Sequence, residues 1–245
     1  MSTDKIYQIL EDDIFLAAYP KSGNNFLLFL TAMLLYRRKI DWATKGDIVQ
    51  NVAEEPIENL PFPHLVWSHD NYDSSYPKVI YLVRDPRDIV ISYYHHHLKY
   101  TGEKISFNEF FDRFLKRNIW PGGWDSNVES WLDNQEKVHN GFLLIKYEDL
   151  LKNPSKEARR ITSFLSLNRT EQEINEAVNW ASFDNMKTLE NKQKVHLDGD
   201  SQFVDRNMPF LREGQSNKWK SVLSNEQQQQ FYQTFHKTLT KLGYK

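Results

Sequence analysis

Tyr19-Pro20-Lys21-Ser22-Gly23-Asn24-Asn25-Phe26 stands between two apolar runs, Ile14 to Ala18 and Leu27 to Tyr36, and its reading decides the fold. The first run is short and strand-like; the second is longer and carries Leu27, Leu30, Met33 and Leu34 at helical spacing. A strand, a tight turn and a helix follow from that pattern. At such a turn the first N–H groups of the helix lack partners and carry partial positive charge. Gly23 lets backbone approach a ligand closely, and Lys21 adds a full charge. The turn therefore suits an anion, of which phosphate is the commonest. Because Lys21 precedes the glycine instead of following it, the spacing does not predict the ordinary ATP or GTP loop. Taken alone, the stretch also reads as a plain strand-to-helix turn with a solvated lysine.

Working outward, Lys78-Val79-Ile80-Tyr81-Leu82-Val83 is the clearest strand, nearly continuous and β-branched, as a strand covered on both faces should be. It stops at Arg84. Asp85 as N-cap and Pro86 at the first helical position then start a helix through Ile89, Val90, Tyr93 and Tyr94. His64 to Ser68 reads as a short strand ending at His69, and Phe142 to Ile145 as a buried strand leading through Lys146, Tyr147 and Glu148 to a loop. Residues Asp41 to Pro63 show no sustained period and read as a connecting segment with one short helix. Ser106 with Glu109, and Thr170 with Glu173, have capping-box spacing; Ser224 caps the last helix and Gly243 stops it. Lys187 to Gln215 is polar and without period, and is expected to fold over the site as a gate with His196 and Phe203 as contacts.

Strands alternating with helices predict a single α/β domain over residues 1–245, with a mainly parallel central sheet flanked by helices. Ligands of such sheets bind beyond the carboxyl ends of the strands. Lys21, His69, Arg84 and Lys146-Tyr147 finish predicted strands, so parallel strands would point them all into one crevice. Each has a plain structural reading as well: Arg84 as the ion-pair partner of Asp88 or Glu148, His69 as a satisfied turn residue, Tyr147 as core.

The 245 residues carry a formal net charge of −2 with both signs spread along the chain, which argues against a sequence-blind nucleic-acid binder. Any positive site must be local. The chain has no cysteine, which removes thiolate nucleophiles and cysteine metal sites and fits a reducing compartment. Met1 to Glu11 is polar and acidic, unlike a secretory signal, and the most apolar stretch, Phe26 to Tyr36, falls short of the roughly 20 residues a bilayer span needs. A cytoplasmic protein without a membrane span is expected. The adjacent His95, His96 and His97 do not suggest a metal site, since neighbouring helix residues point different ways.

Several of these stretches resemble one family. Tyr19-Pro20-Lys21-Ser22-Gly23 is similar to the 5′-phosphosulfate loop of the sulfotransferases that use 3′-phosphoadenosine 5′-phosphosulfate (PAPS), and Val79 to Tyr94, with Arg84-Asp85-Pro86-Arg87-Asp88 and Ser92, resembles their 3′-phosphate motif. Lys146-Tyr147-Glu148-Asp149-Leu150, Ser182-Phe183-Asp184-Asn185-Met186 and Phe210-Leu211-Arg212-Glu213-Gly214 followed by Trp219-Lys220 extend the likeness, in the family's order, over nearly the whole chain.

The resemblance implies a P-loop-like sulfotransferase fold and in-line transfer of a sulfuryl group from PAPS to an acceptor hydroxyl, less readily an amine, with release of 3′-phosphoadenosine 5′-phosphate (PAP) and no metal. It implies His69 as general base, and Lys21 with the N–H groups of Ser22, Gly23, Asn24, Asn25 and Phe26 around the leaving oxygen. Arg84, Ser92 and Arg212, with the backbone at Glu213 and Gly214, would hold the nucleotide's 3′-phosphate; Phe26 and Phe183 would sandwich the adenine, Tyr147 would fix its edge, and Ser182 would also belong to the cofactor site. The chain departs from the family at Asn24 and Asn25, where threonine is common, at Phe26 for tryptophan, at Trp67 and Glu213, where lysine is common, and at Ala181, which lacks a hydroxyl. The family's dimer signature is not recognisable between Trp219 and Glu226. The acceptor, whether small molecule, sugar or lipid, and the oligomeric state are not specified by these residues. Two other readings stay open: an ATP-dependent phosphotransferase on a related fold, and a non-catalytic nucleotide-binding module.

Overall fold

Every residue of the first apolar run is buried, because both faces of the strand it forms are covered. The structure, a computed structural model describing residues 6–193 and 203–244, places that strand, β1 (Ile14–Ala18), at the centre of a sheet. Its companions are β2 (Val49–Asn51), β3 (Leu65–Ser68), β4 (Lys78–Val83) and β5 (Phe142–Lys146), in the order β2-β3-β1-β4-β5. All pairings are parallel: Ile14 stands beside Leu65 on one side and Lys78 on the other, Val49 beside Leu65, and Val79 beside Phe142. The chain moves from β1 outward to β2, returns through β3, then crosses β1 to β4 and β5. The strand order thus reverses at β1, and the crevice such a reversal opens lies at the end of β1 that leads into the Lys21 turn.

Alternation along the strands gives each face its own core. Phe15, Ala17, Val66, Val79 and Tyr81 meet the helices α2 (Pro86–Thr101), α3 (Phe107–Leu115) and α4 (Trp124–Leu132) and the C-terminal helix Asn225–Leu242. Ile14, Leu16, Ala18, Leu65, Ile80, Leu82 and Ile145 meet α1 (Asn24–Tyr36), α6 (Pro154–Phe164) and α7 (Glu171–Ala181). Helix α1 lies between the sheet and α6 and α7, so Phe26 through Leu34 are all buried. Each such Leu or Phe contributes roughly 1.5–3 kcal/mol relative to exposure. This two-sided burial is why the runs read as continuously apolar.

The caps expected at Thr170 and Ser224 form as full capping boxes, and Gly243 closes the last helix at φ 73°. At Ser106 only half the box is made: its hydroxyl accepts from the Glu109 N–H, while the Glu109 carboxylate turns to Arg113.

Four local readings need correction. The Asp41–Pro63 segment contains the edge strand β2 and a 3₁₀ turn, Lys45–Asp47; three residues are too few to show a period. Tyr147 begins a helix, α5 (Tyr147–Lys152), directly after β5, where a loop was expected. The start of the predicted polar loop is helical, α8 (Phe183–Lys192). Finally, Lys146 does not reach the crevice; its ammonium donates to the Leu242 carbonyl and lies over the Tyr244 ring at 5.2 Å. His196 lies outside the described residues. Phe203 is exposed beside Gly102 and does not line the crevice.

Candidate active site

The turn after β1 is held in a shape few sequences permit. Gly23 caps α1 at φ 106°, and a Cβ there would stand 2.4 Å from the Tyr147 ring. Glycine is required twice over, by conformation and by space. Lys21 itself sits at φ 66°, a left-handed conformation that lysine rarely adopts and that costs of the order of 1 kcal/mol. Strain at that position turns the lysine toward a cavity of about 380 Å³, lined by residues from all the strand ends except β2.

The donors of the turn are divided. Ser22 N–H is used internally, to the Tyr19 carbonyl at 3.3 Å, and Phe26 N–H bonds to Gly23 O at 3.0 Å. Among the described residues, the N–H groups of Gly23, Asn24 and Asn25 find no acceptor, leaving three backbone donors at the positive end of α1. The Ser22 hydroxyl is buried, unpartnered and off the cavity wall. Asn24 Oδ1 is also buried without a donor.

Arg84 links this turn to the next strand. Its guanidinium donates to Lys21 O at 3.1 Å and to Gln215 O at 2.9 Å, and lies 4.4 Å from the Tyr147 ring centroid. The ion-pair partners weighed for it are otherwise engaged. Asp88 accepts from the Asn217 and Trp219 N–H groups at 2.6 and 3.0 Å, and Glu148 from Asp85 N–H and the Tyr244 hydroxyl at 3.0 and 2.8 Å. Arg84 Nε is buried with no partner. Lys21 and Arg84 therefore face one cavity with no carboxylate in direct ion-pair contact with either among the described residues, Asp88 acting on Arg84 only through space. Burial, then Arg84 and Arg212, push the Lys21 ammonium down to about 7. A free lysine so placed is a group waiting for an anion.

Around this pair stand most of the other predicted residues. Ser92 on α2, Phe26 on α1, Phe183 at the start of α8, Arg212, Glu213 and Gly214 all line the cavity. A Cβ on Gly214 would lie 2.2 Å from the Phe183 ring, so that glycine lets the ring rest on backbone. Glu213 does not leave a free negative charge: its carboxylate pairs with Arg212 at 2.7 Å and Lys218 at 3.3 Å. Ser182 is not on the wall. Its hydroxyl caps α8, accepting from Asn185 N–H at 3.3 Å.

His69 closes the other end. Its Nδ1 is 2.6 Å from the Ala18 carbonyl, which can only accept, so Nδ1 carries the proton and Nε2 keeps its lone pair. Burial pushes its pKa down to about 4, with Lys21 acting in the same direction against the Ala18 bond. Trp67 and Trp120 flank the ring edge-on, at 5.1 and 5.6 Å. The loop carrying Trp120 is fixed by two tyrosine hydroxyls, Tyr93 to Trp120 O at 2.5 Å and Tyr19 to Gly122 O at 2.8 Å.

Sequence reasoning missed Trp120, His96, Tyr100 and Lys45 on this wall. His96 is pushed down to about 3 by burial and packs 4.6 Å from the Tyr100 ring; its neighbour His97 turns away to pair with Glu103 at 2.7 Å. The available signal was helical phase, since the i, i+3, i+4 face of α2 that carries Ser92 also carries His95, His96 and Lys99. Among the described residues no group of three or more His, Asp or Glu is arranged to hold a metal, and no helix is long and apolar enough to cross a membrane.

Comparison with known proteins agrees with this geometry. The model of the sulfotransferase domain matches residues 11–243. Sulfotransferase 1B1 of Mus musculus is 27% identical over 96% of this chain and 85% of its own length, and sulfotransferase 2A1 of Macaca fascicularis is 27% identical over 96% and 87%. Among solved structures, mouse sulfotransferase SULT7A1 complexed with PAP superposes with a TM-score of 0.74 at 24% identity, covering 95% of this chain and 85% of that one. Retinol dehydratase in complex with retinol and PAP gives 0.77 at 16% identity, covering 95% and 82%. With a family model spanning nearly its whole length and relatives aligned over 96% of it, the chain belongs to the sulfotransferase domain family.

Proposed function

We propose that the protein transfers a sulfuryl group from PAPS to the hydroxyl of a small acceptor, with His69 as general base. The observation that carries this reading is the 3.1 Å bond from Arg84 to the Lys21 carbonyl. It ties two basic clusters far apart in sequence into one cavity, as a single nucleotide phosphorylated at both ends would require.

The residues present suit such a donor. Three unpaired N–H groups and Lys21 form an anion cradle at the 5′ end. Arg84, with an orphaned Nε, and Arg212 offer guanidinium donors for a 3′-phosphate, which ATP and ADP lack. Phe26 and Phe183 are apolar walls for a base. When bound, the donor supplies a sulfuryl group already activated by its phosphate leaving group.

The chain's own residues account for the rest. His69 Nε2 takes the proton of the acceptor hydroxyl as its oxygen bonds to sulfur and the sulfur–oxygen bond to the phosphate breaks. Lys21 and the turn N–H groups balance the charge gathering on the leaving phosphate oxygen. The Ala18 carbonyl holds His69 in the tautomer this requires. Because His69 is neutral down to about pH 4 in the free protein, the base is available throughout the physiological range. Trp67, Trp120 and Phe210 give the acceptor side of the cavity apolar walls.

Incubation with PAPS labelled in the sulfuryl group and pools of phenols, alcohols, sugars and amines tests the proposal. A labelled hydroxyl ester is expected. Binding of PAP without any labelled product across the pools would favour the non-catalytic module instead.

A further inference from the structure

Lys45 takes no part in the mechanism above, yet it lines the same cavity. It is the first residue of the 3₁₀ turn ahead of β2. Its ammonium nitrogen is 3.5 Å from Asn25 Oδ1, the outer limit of a hydrogen bond, and 5.5 Å from the Trp42 ring centroid. Among the described residues no carboxylate comes within 4.0 Å of it. Glu54 acts on it only through space, and burial pushes its pKa down. A desolvated ammonium with one long polar contact costs free energy until an anion meets it.

Strand order says which anion. Tyr147 follows β5, Arg84 follows β4, Lys21 follows β1, His69 follows β3 and Lys45 precedes the edge strand β2. Neighbouring strands are roughly 4.8 Å apart, so the first four groups form a row along the carboxyl edge of the sheet. Lys45, which comes before its strand, joins them through the cavity wall and Asn25 and not through the strand order. Arg84 and Tyr147 lie on one side of Lys21 and His69 on the other, the side on which β2 also lies. A donor with its 3′-phosphate at Arg84 and its 5′-phosphate at Lys21 has its remaining end directed to that side, where Lys45 reaches the cavity. Asn25, in the first turn of α1, stands beside both the phosphate cradle and Lys45.

We propose that Lys45 binds the sulfuryl oxygens of the donor and balances their charge during transfer. The inference rests on the donor assignment made above. It makes a distinction that a general anion site would not, because PAPS carries the sulfuryl group and PAP does not. Lys45 should matter to the first and be indifferent to the second.

Calorimetric titration of PAPS and of PAP, without acceptor, into the wild type, Lys45→Met and Lys45→Arg decides the matter. The methionine variant is expected to bind PAP within about twofold of the wild type and PAPS about tenfold or more weakly, the effect of one hydrogen bond to a charged group. Arginine should restore most of the PAPS affinity. The methionine variant should melt no lower than the wild type without ligand, since it removes an unpaired charge. Equal losses for both nucleotides, or no loss for either, would overturn the proposal alone. Failure of the wild type to bind PAP would overturn it together with the donor assignment.

Discussion

The two ends of the cavity are built differently. At the end proposed for the nucleotide, Lys21, Gly23, Arg84 and Tyr147 follow on β1, β4 and β5, and their positions are fixed by backbone: a glycine at φ 106° against the Tyr147 ring, and Arg84 bonded to two carbonyls. At the end proposed for the acceptor, Trp67 comes from β3, His96 and Tyr100 from α2, and Trp120 and Phe210 from two loops, and they meet mainly by ring packing. The first end is specified by short runs of sequence, the second by tertiary assembly. Substitutions at the first should strike the donor and the chemistry; those at the second should strike the acceptor.

The largest expected effect falls where the two ends meet. His69→Ala should lower kcat by about 100-fold or more, the contribution of a general base, with PAP affinity little changed. Unchanged turnover would remove His69 from the mechanism. The next effect belongs to Lys21. With its pKa lowered to about 7, it is largely neutral in the free protein above that pH, while a bound phosphate favours its charged form. PAP binding should therefore take up a proton at pH 8 and weaken as pH rises above about 7. Titration in buffers of different ionisation enthalpy measures the uptake, and Lys21→Met should abolish it. An equal uptake in the variant would assign the proton elsewhere.

The smallest effect tests the acceptor wall alone. Trp120 is 55% exposed, so Trp120→Ala removes only part of an apolar contact, and the acceptor KM should rise about three- to tenfold with PAP affinity unchanged. A matching fall in PAP affinity would mean that the two ends are not separable.

The same contrast explains what could be read from the sequence. Two-sided burial gave β1 and β4 unmistakable apolar runs, while β5, at the sheet edge and only half-buried, is apolar without being enclosed; the residues that end all three were legible as a site before any contact was known. Lys146 was misjudged because a strand-end residue can turn outward, here toward the carboxyl end of the last helix. Ser22 and Ser182 sit within recognisable motifs, yet one hydroxyl is buried beneath the turn and the other caps α8. Proximity in sequence placed them near the site without placing them on its wall. Lys45 and Trp120 had no local signal, since nothing near them in the chain foretells Asn25 or His69 as neighbours.

The central claim is that Arg84 and Lys21 grip opposite ends of one nucleotide. Calorimetric titration of PAP and ADP into the wild type and Arg84→Ala tests it most directly. The account predicts that the wild type prefers PAP by about tenfold or more, and that the variant loses most of this preference while still binding ADP. Equal binding of PAP and ADP by the wild type, or a preference that survives loss of the guanidinium, would contradict it.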